Sequence, residues 1–116
     1  MAKRIPINTK NSVFFIDPTD ILYCQSDNTT TTLFLQNGET IVVSKGIKLV
    51  QKMLEGNNFL RPHQSYLVNR NHIILIDKTP DYCLILKNQI KIPISTRKRK
   101  EIMEIIKSSV INTNSF

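Results

Sequence analysis

Residues 29–44 read TTTTLFLQNGETIVVS, and this stretch decides the fold class. Two runs rich in β-branched and aromatic residues flank Asn37-Gly38. An Asn-Gly pair readily takes the positive φ angles of a two-residue hairpin turn, so the spacing predicts strands over 29–36 and 39–44 closed by a tight hairpin. Outward from it, residues 21–25 form another apolar run, set off by Ser26-Asp27-Asn28, which is turn chemistry. Residues 13–17 make a further short strand, ended by Pro18-Thr19-Asp20. On the other side, Ile47, Val50, Met53 and Leu54 recur at helical spacing. Ser44 is expected to open that helix and Gly56 to stop it. Residues 59–68 and 72–77 read as extended segments. Thr79-Pro80-Asp81 turns the chain, 82–87 is a strand, Asn88-Gln89 turns again, and 91–94 follows. Ser95 stands at the N-cap position of a second helix with Ile102, Ile105 and Ile106 as its buried stripe. The expected class is mainly β, with several short antiparallel sheets and two helices.

The chain has 116 residues, enough for one domain with a modest core. Its 16 Lys and Arg against 9 Asp and Glu give a net charge of +7, which points to an anionic partner. The excess is uneven. Residues 1–59 hold six basic and five acidic residues, and residues 60–116 hold ten and four. That asymmetry implies a basic face rather than a uniformly basic surface. No apolar run is long enough to span a bilayer. The N-terminus has basic residues but no apolar stretch after them, so it is not a secretory signal, and a cytoplasmic location is expected. Cys24 and Cys83 sit in apolar strand sequence and read as buried free thiols, with a redox switch as the alternative. No C-x-x-C or H-x-x-x-H pair suggests zinc. Glycines occur only at 38, 46 and 56, so no phosphate-cradling loop exists. No nucleophile elbow is present. Neither metal, cofactor, small-molecule substrate nor enzymatic activity is expected.

Three stretches carry the candidate chemistry. In IPISTRKRKEIMEII, residues 92–106, four consecutive cations, Arg97, Lys98, Arg99 and Lys100, occupy the start of a helix. That end of a helix is already partly positive, so cations there cost a few tenths of a kcal/mol each. Helix N–H donors and cations together make a phosphate-binding arrangement, and an arginine can fork onto guanine. Arg97 and Lys100 point away from the apolar stripe, within i,i+4 reach of Glu101 and Glu104. The alternative is a plainly solvated face. In FLRPHQSYLVNRNHIILI, residues 59–76, Arg61, His63, Ser65, Asn69, Arg70 and His72 interrupt apolar sequence. Strand alternation puts His63, Ser65 and Leu67 on one face. Asn69-Arg70-Asn71 reads as a polar turn with exposed side chains, and both histidines read first as structural residues. In SDNTTTT, residues 26–32, the threonines either begin a strand or form a polar loop that lays hydroxyls against phosphate or bases.

Taken in order, DILYCQSDNTTTTLFLQNGETIVVSKGIKLVQKML, FLRPHQSYLVNRNHI and IPISTRKRKEIMEII resemble the LytTR family of bacterial DNA-binding domains, over roughly residues 13–107. The resemblance implies loops, rather than a recognition helix, that enter successive major grooves of double-stranded DNA, commonly at paired repeats, with a homodimer formed on the DNA as a further expectation. It implies contacts from Asp27, Asn28, Thr29, Thr30 and Thr31, from Asn69 and Arg70, and from Arg97, with Lys98, Arg99 and Lys100 beside it. Arg61, His63 and Ser65 match the motif as supporting residues. Many members place a His, Asn or aromatic in the first loop, where this chain has threonines. Typical members sit behind a receiver domain in response regulators of two-component systems; this chain reads either as an excised domain or as a stand-alone regulator. The expected organisation is an N-terminal extension over 1–12, the DNA-binding domain over 13–109, and a flexible tail over 110–116. Two other readings stand beside it: a β-rich module for single-stranded nucleic acid, which would need exposed aromatics for stacking, and a protein-interaction module with a basic face.

Overall fold

The computed structural model describes residues 3–108, so the tail expected over 110–116 lies outside the described residues. The described residues are mainly β, with ten strands in three antiparallel sheets and two α-helices. The strands are β1 (Ile5–Asn8), β2 (Val13–Ile16), β3 (Ile21–Asp27), β4 (Thr30–Leu35), β5 (Thr40–Val43), β6 (Phe59–His63), β7 (Tyr66–Asn69), β8 (Ile73–Asp77), β9 (Cys83–Leu86) and β10 (Lys91–Pro93). Helix α1 spans Ile47–Met53 and α2 spans Arg99–Ser108. A five-stranded sheet in the order β5-β4-β3-β7-β6 forms the body. A β1-β2 ribbon and a three-stranded sheet, β10-β9-β8, flank it.

The alternation that predicts strands also sorts the core. Leu33 and Leu35 of β4 are buried while Thr32 and Phe34 face the other side, as a period of two requires. One face of the large sheet packs Cys24, Leu33, Leu35, Ile41, Val43 and Leu67 against Ile47, Val50 and Leu54 from α1 and its end. The other face, at β6 and β7, packs Leu60 and Val68 against Leu84, Leu86, Ile92, Ile94 and Ile102. The neighbours Leu67 and Val68 therefore belong to different cores. At the border of that second core, Tyr23 and Phe34 stack on each other with ring centroids 4.4 Å apart.

The structure departs from the sequence reading at four places. Residues 5–8, assigned to an extension, form β1, and Ile7 is completely buried in the first core; four residues are too short a segment for alternation alone to mark it. The extended run 59–68 is two strands joined at Gln64-Ser65. Helix α1 starts after Gly46, whose backbone is extended, and not at Ser44. Ser95 does hold the N-cap position, but its hydroxyl caps nothing: it donates to the Pro62 carbonyl at 3.4 Å, and a 3-10 turn, Thr96–Lys98, precedes α2.

Both cysteines are free, Cys24 buried and Cys83 half-buried. Burial pushes the Cys24 thiol up to about 12, because the thiolate loses its hydration there. A folded-state pKa above the unfolded one favours folding below the unfolded value and loses that advantage as pH rises toward the folded one. Stability should therefore fall above about pH 9, by at most about 1.4 kcal/mol per pH unit from this group. Urea unfolding of the wild type and Cys24→Ala at pH 7 and pH 10 checks this; equal losses in both proteins would clear Cys24 of the effect.

Candidate nucleic-acid interface

The register of the large sheet decides which polar residues can act together. Strand β3 ends at Asp27 and β4 begins at Thr30, so Asn28-Thr29 is the tip of a tight hairpin, with Asn28 at φ +59°. Beside it runs β7, with Gln25 opposite Tyr66, and the Ser26 amide donates to the Ser65 carbonyl at 2.9 Å. The β6–β7 turn, His63 to Ser65, thus lies next to the 27–30 tip. On the far side of β6, the Ser95 amide donates to the Pro62 carbonyl at 2.9 Å, which fixes the start of α2 against the same turn. On the other flank β5 ends opposite the start of β4, and the buried Thr31 hydroxyl donates to the Lys45 carbonyl at 2.8 Å. Four chain segments distant in sequence meet at one end of the sheet.

This end is basic. Lys48, Arg61, His63, Gln64, Ser95, Arg97 and Lys98 line a cleft of about 540 Å³. Lys45, Lys48, Gln64, Thr96 and Arg97 are exposed, as are Asp27, Asn28 and Thr29. Arg61 is half-buried and its guanidinium makes three hydrogen bonds. Nε donates to the His63 carbonyl at 3.2 Å, Nη2 to the Gln64 carbonyl at 2.7 Å, and Nη1 to Oε1 of Gln51 on α1 at 2.9 Å. Desolvation lowers its pKa from the usual value. His63 accepts the Ser65 amide at Nδ1, 3.1 Å, which leaves the ring proton on Nε2. Its ring meets the edge of Tyr66 at 5.5 Å.

The cation run divides. Arg97 and Lys100 are exposed, as the helical wheel requires. Neither takes the i,i+4 partner within its reach; the ion pair that forms is Lys98–Glu101 at 3.5 Å, an i,i+3 contact. Arg99 turns back onto the protein: its guanidinium lies 4.7 Å from the centroid of the Tyr82 ring and 4.0 Å from Asp81. It holds the 81–82 segment to α2.

Burial and position set three further residues of the expected contact set apart from this cleft. Asn69 is 1% exposed. Its amide nitrogen donates to the carbonyls of Pro18 at 3.3 Å and Ile21 at 3.0 Å, and its Oδ1 accepts the Asn71 amide. It seals the end of the sheet opposite the 27–30 tip, a separation of about 20 Å along the seven residues of β3. Arg70 follows it there. Its Nη2 donates to the Ile105 carbonyl at 3.3 Å, about 12 Å along the helix from Arg97 at 1.5 Å per residue. Thr31 is fully buried; of the threonine run Thr29 is exposed, and Thr30 and Thr32 are half-buried. The Asn69-Arg70-Asn71 turn looked exposed because its residues are polar; Asn71 is exposed, but Asn69 and Arg70 turn onto backbone carbonyls. His72 is structural in the same seam, with Nε2 2.8 Å from the Thr19 carbonyl.

Gln64, Lys45 and Lys48 are the surface residues that sequence reasoning missed. A signal for Gln64 was present: Gln64-Ser65 is a polar pair between FLRPH and YLVN, a hairpin pattern. Among the described residues no group of three His, Cys, Asp or Glu side chains is placed to hold a metal ion, and no helix is long and apolar enough to cross a membrane.

Comparison with known proteins gives a consistent result. Residues 11–107 match the model of the LytTr DNA-binding domain. The chain is 26% identical to the sensory transduction protein LytT of Bacillus subtilis (strain 168) over 105 residues, covering 89% of this chain and 43% of that protein. It is 28% identical to the sensory transduction protein LytR of Staphylococcus saprophyticus over 109 residues, covering 90% and 42%. The chain thus spans less than half the length of these relatives. A solved LytTr DNA-binding domain of a response regulator from Bacillus cereus superposes with a TM-score of 0.74 at 18% identity, covering 91% of this chain and 98% of that one.

Proposed function

From the premise that the chain belongs to the LytTr DNA-binding domain family, we propose that it binds double-stranded DNA sequence-specifically through the basic end of its large sheet. The observation that carries this reading is the register that gathers the Asn28-Thr29 tip, the His63–Ser65 turn and the start of α2 around one cationic cleft. Duplex DNA offers anionic ridges flanking grooves with readable base edges. Lys45, Lys48, Lys98 and Lys100 supply the phosphate contacts. The shorter polar elements enter the groove: Asn28 and Thr29 with Asp27 and Thr30 at their base, Gln64, His63 through its Nε2 proton, and Arg97. Three projections from one sheet end reach successive groove segments, and the family resemblance adds a site of paired repeats occupied by two copies. In a longer protein the domain is the output module of a bacterial response regulator that controls transcription in the cytoplasm.

The test is a competition among a duplex chosen by selection from a random pool, a scrambled duplex and the corresponding single strand, at physiological salt. The selected duplex should win. A single strand that wins would replace this reading with that of a single-strand binder. If the four lysines Lys45, Lys48, Lys98 and Lys100 neutralise phosphates, log K should fall with log salt at a slope of roughly −4. A slope near zero in a salt titration would remove the cationic cleft from the interface.

A further inference from the structure

The three hydrogen bonds of Arg61 point to a role distinct from holding phosphate, and the argument rests on the reading of the His63–Gln64 turn as a DNA-contacting element. We propose that Arg61 is a positioning residue that sets the shape and height of this turn, so that Gln64 and His63 present their side chains to base edges in a fixed geometry. Pairing between β6 and β7 shifts register between Leu60 and His63 before His63 pairs with Tyr66, so an irregularity separates the turn from the rest of the ladder. Backbone bonds from Ser26 and Ser95 hold its flanks, and a single guanidinium takes the carbonyls of the turn itself. Nε and Nη2 take the carbonyls of two consecutive residues, His63 at 3.2 Å and Gln64 at 2.7 Å. The planar fork of arginine fits two carbonyls held at that separation. Nη1 reaches the opposite wall and donates to Oε1 of Gln51 at 2.9 Å. The turn is thereby tied to α1, the element that carries Lys48. One cation therefore fixes the distance between a phosphate-contacting wall and a base-reading turn.

This role predicts a signature different from that of a phosphate contact. A lysine retains the charge but can hold only one of the three acceptors in comparable geometry. Arg61→Lys should lower affinity for the selected duplex by roughly tenfold, the scale of one lost base contact, while leaving affinity for the scrambled duplex and the salt slope close to wild type. In the free protein, the Ser65 amide should exchange with solvent faster in Arg61→Lys, while amides of the β1-β2 ribbon should not change. Gln51→Leu, which removes only the tie to α1, should reproduce part of the loss of specificity and none of any change in slope. Should Arg61→Lys leave both duplexes unchanged, or should Arg61→Gln weaken both alike and flatten the slope by about 1, Arg61 is a phosphate anchor or a bystander and the proposal fails. If Arg61→Lys does not fold, Gln51→Leu decides alone: unchanged discrimination and an unchanged Ser65 amide would overturn the proposal. Gln64→Ala separates the two levels. Wild-type discrimination in that variant would reject the turn as a DNA-reading element, whereas faster Ser65 exchange in Arg61→Lys would still report the grip itself.

Discussion

Replacing Arg97 with alanine should cost about 1–3 kcal/mol of binding to the preferred duplex and much less to a scrambled one, because the loss falls on a base contact. The four cations at the start of α2 are not equivalent. Lys98 is paired with Glu101, and Arg99 is committed to Tyr82 and Asp81. Arg97 and Lys100 are exposed, and among the described residues neither has an ion-pair partner, but only Arg97 lines the cleft together with Gln64. Its planar fork can take O6 and N7 of guanine together. Lys100 can reach phosphate at most. Lys100→Ala should then weaken every duplex alike and flatten the salt slope by about 1. Arg97→Lys should behave like Arg97→Ala, since an ammonium cannot reproduce the fork. Paired titrations of preferred and scrambled duplexes at one salt concentration measure this, with folding checked by circular dichroism. Equal weakening of both duplexes by Arg97→Ala would make Arg97 a phosphate anchor and move base reading to Gln64, His63 and the Asn28-Thr29 tip.

The second large effect concerns stability. Asn69→Ala should destabilise the protein by roughly 2–4 kcal/mol, since it leaves buried carbonyls without donors and opens a small void. Nδ2 of Asn69 serves the Pro18 and Ile21 carbonyls, and Oδ1 takes the Asn71 amide, all at a position 1% exposed. Asn69→Asp should be no milder, because a carboxylate faces the same two carbonyls with no proton to give and carries a buried charge. Urea unfolding gives the number. The folded fraction of Asn69→Ala should bind DNA with wild-type discrimination. A variant with an unchanged unfolding midpoint and lost discrimination would return Asn69 to the interface.

The contrast between Asn69 and Gln64 shows what was legible in the sequence. The Asn37-Gly38 hairpin could be read because its cause is local: two residues supply the backbone angles that close it, and Gly38 has φ +92°. The α2 stripe could be read for the same reason, since Ile102 is buried at a helical period from Ile105 and Ile106. Arg97 was found because a cation run at a helix start breaks a local rule. What could not be read is set by register. Within FLRPHQSYLVNRN the polar pair Gln64-Ser65 is a faint hairpin signal, but only the register sends Asn69 to one end of the sheet and Gln64 to the other. Polarity singled out Asn69 and passed over Gln64. The structure separates them, because Asn69 finds the Pro18 and Ile21 carbonyls of a segment some fifty residues earlier. Ile7 was missed in a similar way: the isoleucines of a four-residue strand join the core only through partners distant in sequence.

Leu67 and Val68, adjacent on β7 and turned to opposite faces, each lie at 0% exposure in a different core. Strand β7 is thus a party wall between two halves that cannot melt independently. One half carries the 27–30 tip and the other the start of α2, so the parts proposed to meet DNA rise and fall with a single unfolding equilibrium. A cavity cut anywhere in either half lowers the concentration of binding-competent molecules without altering what those molecules prefer. Loss of occupancy with retained preference is therefore the mark of a substitution that acts through this wall, and it sets such changes apart from those made at the reading end.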